Sequence, residues 1–156
     1  MRRAAGVLLA FACSGEHVQA QALPSTFGPV IGSALLCRSQ LDNAYFYSWL
    51  TTAFGPSYKH EGGAFWFKGD ATLWGKPVRE LMVSDDTNPM VFIAAVMESK
   101  PEELEEAVRT SAGLRHKAVD ASQYPLRVSN PGSVIAYHMG KSKIYCAKYK
   151  PLPPGR

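Results

Sequence analysis

Residues 90–114 read MVFIAAVMESKPEELEEAVRTSAGL, an unbroken apolar run followed after three residues by a strongly acidic amphipathic one. Met90 to Met97 shows no polar alternation, so it is predicted to be a central strand covered on both faces. The second half is predicted to be a helix. Ser99 and Glu102 have the spacing of a capping box, Pro101 suits a first turn, and Gly113 supplies a stop. Glutamates crowd its N-terminal half and Arg109 lies near its end, matching the helix dipole. Leu104, Ala107, Val108 and Ser111 form its packing stripe. A central strand running into an amphipathic helix points to a helix layer on a sheet.

Upstream, Val78 to Ser84 is predicted to be a strand, and Asp85-Asp86-Thr87-Asn88-Pro89 a turn by composition. Ala64 to Lys68 and Ala71 to Trp74 are expected to pair as a hairpin around Gly69-Asp70. Before them, SQLDNAYFYSWLTTAFGP places Leu41, Tyr45, Trp49 and Ala53 at helical spacing beside Phe46, Leu50 and Phe54. Ser39 with Asp42 can cap that helix, and Gly55-Pro56 stops it. Downstream come a short strand near Leu114–Val119, an irregular stretch through Tyr124-Pro125, and a hairpin pairing Ser133–His138 with Lys143–Tyr149 across Gly140. Ile144 and Cys146 share one face of the last strand. The expected fold is α+β: one antiparallel or mixed sheet of about five to six strands, two helices on one face, in the order α-β-β-β-β-α-β-β-β.

The N-terminus, MRRAAGVLLAFACSGEHVQAQALPS, places Arg2 and Arg3 before a short apolar run and small residues at Ala20 and Ala22. That order predicts a signal peptide over 1–22, cleaved after Ala22 or alternatively after Ala20. Acylation of Cys13 fits poorly with the residues before it. No segment approaches the roughly 20 apolar residues a membrane-spanning helix needs. Residues 23–38 hold two prolines and two glycines within LPSTFGPVIGSALLC and are expected to be an extended lead-in; 39–150 form the domain, and 151–156, PLPPGR, a mobile proline-rich tail. Export would leave Cys37 and Cys146 as the only thiols in an oxidising compartment, which predicts one disulfide between them. Periplasmic or secreted localisation follows.

Charge is unevenly placed. Eight acidic residues and one basic, Lys100, lie between Glu80 and Glu106; nine basic residues and one acidic, Asp120, follow from Ala107 onward. An acidic unit packed beside a basic hairpin accounts for this, and so would a basic face for an anionic envelope component.

No catalytic signature is present. HEGGA begins like a zinc-protease helix, but Ala64 stands where the second histidine belongs and Gly62-Gly63 disfavours a helix. No metal and no cofactor is expected. G-x-S-x-G, a phosphate-binding glycine loop and a dinucleotide fingerprint are all missing. The expectation is a small exported binding module, monomeric, with an unknown protein or an anionic envelope component as partner and no nucleic acid. Candidate contacts are Tyr58, Lys59, His60, Glu61, Trp66, Lys68 and Trp74 between the first helix and the hairpin, and Lys141, Lys143, Lys148 and Lys150 in the final hairpin. Trp66 stands out because Phe65 and Phe67 should take the opposite face. The alternatives are an exported hydrolase using His60 or His138 with Glu61 or Asp85, and a host-facing surface or structural protein.

Overall fold

The structure, a computed structural model, describes residues 26–151; the expected signal peptide and all but the first residue of the tail lie outside them. Eight antiparallel strands form one sheet in the order β1-β2-β3-β4-β8-β7-β6-β5. The strands are β1 (Lys59–Glu61), β2 (Ala64–Leu73), β3 (Lys76–Ser84), β4 (Met90–Met97), β5 (Lys117–Ala118), β6 (Arg127–Val128), β7 (Val134–His138) and β8 (Lys141–Tyr149). The α+β class stands, with eight strands in place of five to six. The apolar run is central as expected, with β4 between β3 and β8, but the described helices cover one of its faces and not both: Ile93, Ala95 and Met97 pack with them, Ala94 and Val96 do not.

The extra strands are short. β1 arises because Gly62 and Gly63 both take positive φ, 63° and 72°, closing a two-residue turn that folds Lys59–Glu61 back on Ala64–Trp66. HEGGA is therefore a strand and its turn. The expected turn at Gly69-Asp70 is a correction: β2 runs through it with a register shift between Lys68 and Ala71. Gly69 is there for close approach, since a Cβ on it would lie 2.9 Å from Val78 Cγ1. The hairpin instead turns at Trp74-Gly75, with φ of 50° and 73°.

Three helical segments cover one face. The lead-in is not extended: Gly28–Gly32 is π-helical and runs into an α-helical turn, α1 (Ser33–Leu35). Pro29 is tolerated in the first turn, and Ile31, Ala34 and Leu35 recur at helical spacing and are fully buried. Helix α2 (Asn43–Phe54) is capped by Asp42, whose carboxylate accepts from the Tyr45 N–H at 3.0 Å, and not by Ser39. Its inward row is Phe46 and Leu50, while Tyr45 is exposed. Helix α3 (Pro101–Ala112) starts one residue later than expected, with Lys100 at the cap and its backbone N–H donating to Glu103. Gly113 ends it in the left-handed region, φ 65°. The helices pack on Phe67, Leu81, Val83, Ile93, Ala95, Met97, Ile135 and Ile144 from the sheet.

Cys37 and Cys146 form a disulfide between residues 109 apart in sequence, fastening the end of α1 to β8. Cys146 is fully buried beside Ile144, as the strand pattern requires. Much of the charge asymmetry closes internally. Arg127 pairs with Glu102 and Glu105 of α3, and Lys141 with Glu98.

Candidate functional site: the uncovered face of the sheet

Side chains alternate across a strand, so the register assigns each candidate residue to a face. Lys59, Trp66, Met82, Ala94 and Tyr145 are successive partners across β1, β2, β3, β4 and β8. Lys68, Glu80, Val96 and Lys143 form the neighbouring row. Both rows lie on the face opposite the helices. Met82, Ala94 and Val96 are buried there with none of the described helices above them, under the partly exposed rings of Trp66, Phe92 and Tyr145. The continuous apolar run of β4 thus has two causes: one face packs on helices, and the other floors a cleft of about 370 Å³ between Trp66, Met90, Phe92 and Tyr145.

Charged groups frame this cleft. The Lys59 ammonium lies 3.9 Å from the centre of the Trp66 ring, a cation–π distance, and also 2.8 Å from Glu61. The Tyr58 hydroxyl donates to Glu80 at 2.7 Å and the Lys68 ammonium at 2.9 Å. Burial alone would raise the Glu80 carboxyl, but these two donors outweigh it and hold it below its ordinary value. Lys143 differs from the other two lysines. Its ammonium stands 6.0 Å from the Trp66 ring and pairs with no carboxylate among the described residues. Burial depresses its pKa, and does the same to His138 on the neighbouring strand.

No protein-family model, curated protein or solved structure matches the chain.

Of the sequence-predicted residues, the fold brings Tyr58, Lys59, Glu61, Trp66, Lys68 and Lys143 together on this face. It does not bring the rest. Trp74 packs on the helix side against Gly32. Lys141 lies on the same face but beyond the cleft, engaged by Glu98, Lys148 falls on the opposite face of β8 by alternation, and Lys150 donates to the Asp86 carbonyl at 2.8 Å. The four lysines of the final hairpin do not share one surface. Met82, Phe92, Ala94 and Tyr145 were not foreseen as site residues; alternation of Phe92, Ala94 and Val96 against Ile93, Ala95 and Met97 was the available signal.

His60 faces the helix side. Its ring stacks on Phe65 at 4.1 Å and its Nε2 lies 2.7 Å from Asp85 Oδ2. The pair lines a second cleft, about 380 Å³, with Asn43, Tyr47 and Thr87. Asp85 also accepts from the Thr87 hydroxyl and from the Thr87 and Asn88 backbone N–H groups. The Thr87 hydroxyl first, and then His60, hold its carboxyl down at about 2. His60 and Asp85 thus meet. Glu61 points to the other face, and His138 lies on β7 across the sheet. No cluster of three metal-ligating side chains occurs among the described residues, and none of their helices is long and apolar enough to cross a membrane.

Proposed function

We propose that the protein is an exported binding protein whose uncovered sheet face takes a small ligand with an apolar body. The observation that carries this reading is the cleft floored by Met82 and Ala94 and walled by the Trp66, Phe92 and Tyr145 rings. Contiguous apolar surface in a concave site rimmed by a few polar groups is characteristic of small-molecule binding. Export is supported by the Arg2-Arg3 and apolar start of the chain together with the Cys37–Cys146 bond. The test is titration with a neutral apolar probe, Nile red, followed by its emission. Saturable enhancement that is lost in W66A, with unchanged circular dichroism, supports the reading; no enhancement with the wild-type protein contradicts it. Mass spectrometry of the exported protein checks the first claim, with a mature N-terminus expected at Leu23 or Gln21.

A second reading is favoured by the 2.7 Å contact between His60 and Asp85 in the helix-side cleft. A carboxylate that stays ionised can orient an imidazole for acid–base work. A structural role also accounts for the pair, because it ties the edge strand β1 to the β3–β4 turn. Hydrolysis of p-nitrophenyl esters by the wild type that disappears in H60Q would support the catalytic role. Equal rates in both proteins would exclude it.

A further inference from the structure

We propose that the ligand of the uncovered face is a small amphipathic monocarboxylate, with its carboxylate on Lys143 Nζ and its apolar body along Trp66, Phe92 and Tyr145. The inference rests on the cleft being a binding site and adds the chemistry of the head group.

The charge inventory of this face leads to Lys143. Lys59 is matched by Glu61 at 2.8 Å, and Lys68 by Glu80 at 2.9 Å. Lys141, one pleat further on, is matched by Glu98. Each acidic group on the face thus has a cation in contact. Lys143 alone among these lysines has no carboxylate in contact, the Glu80 charge reaching it only from further off, and its ammonium donates no hydrogen bond within the described residues. Its cross-strand neighbours, Val96 on β4 and Ala136 on β7, offer no acceptor side chain.

An exposed, unpaired lysine is ordinary because water satisfies it. Lys143 is half-buried beside an apolar cleft, where its ammonium keeps contact with water but loses part of its hydration. The desolvation that depresses its pKa has the same origin. A carboxylate arriving with its own apolar chain would supply the missing counter-charge and cover the exposed flanks of Trp66, Phe92 and Tyr145. The volume, about 370 Å³, lies at the small end of ligand pockets and suits a short acyl or aryl chain.

Three probes separate head group from body: decanoate, decanol and acetate, titrated by isothermal calorimetry against the wild-type protein, K143M and K148M. Met keeps the length and volume of the lysine stem, and Lys148 is an exposed control on the other face of β8. The expected result is binding of decanoate at least tenfold tighter than decanol, no detectable binding of acetate, and a tenfold or greater loss for decanoate in K143M. K148M should match the wild type, and decanol should bind wild type and K143M alike. Equal affinities for decanoate and decanol, or decanoate binding untouched in K143M, would overturn the head-group assignment while leaving the cleft as an apolar site. Failure of both decanoate and decanol to bind would overturn the cleft reading itself, and this inference with it.

Discussion

His116 should make the protein acid-labile well above the range in which carboxylates titrate. Its side chain is 1 % exposed. Its Nε2 lies 3.1 Å from Ser133 Oγ, and the Ser133 hydroxyl donates to the Leu35 carbonyl at 2.7 Å. With that single proton committed, Nε2 must be the N–H that donates to Ser133, and Nδ1 is left as a bare lone pair with no partner. Protonation would put a charge and a second donor into a site with nothing to receive them, so burial pushes the pKa from 6.5 down to about 4. The unfolded chain then binds the extra proton first, and stability falls as pH drops from 6.5 towards 4. At 1.36 kcal/mol per pKa unit the full loss is about 3 kcal/mol, with about 2 kcal/mol of it incurred by pH 5. Urea unfolding of the wild type and H116Q at pH 7 and pH 5 isolates the effect, because the other histidines are common to both proteins. The wild type should lose about 2 kcal/mol more than the variant over that interval. Parallel pH dependences, or imidazole ring protons of His116 that titrate near 6.5 by NMR, would refute the reasoning.

Two further outcomes concern the frame of the fold. Reducing the Cys37–Cys146 bond, or replacing both residues by alanine, frees a loop of 109 residues, and should lower stability by about 5 kcal/mol on the chain-entropy account; denaturant midpoints with and without reductant measure it. G69A should cost about 1–3 kcal/mol through its clash with Val78, whereas G28A, where an added Cβ meets nothing within 4 Å, should be neutral or slightly stabilising.

Long elements with a consistent period were legible in the sequence. The central position of Met90–Met97, the acidic helix after it and the final hairpin needed only local pattern, and the inward direction of Cys146 followed from Ile144. The helical lead-in was hidden because Pro29 and its neighbouring glycines read as breakers, while the apolar spacing of Ile31, Ala34 and Leu35 was the stronger signal. Strands of two or three residues such as β1, β5 and β6 carry too little pattern to stand out, and depend on the sheet already being there. The absence of the expected turn at Gly69-Asp70 has a similar origin: a glycine required by close packing against Val78 resembles one required by a turn. Trp66 and Lys143 could be nominated singly. That they flank one cleft depends on the pairing of β2 with β3, β3 with β4 and β4 with β8, which no local pattern contains.

The central claim is that the uncovered face of the sheet is where this protein binds. Amide and indole chemical shifts of the isotope-labelled protein, followed by NMR during titration with decanoate, test it most directly. Saturable shifts confined to Trp66, Met82, Phe92, Lys143 and Tyr145, the indole N–H of Trp66 included, are the predicted result. Shifts centred on Tyr47, His60 and Phe65, or none at all, would contradict it.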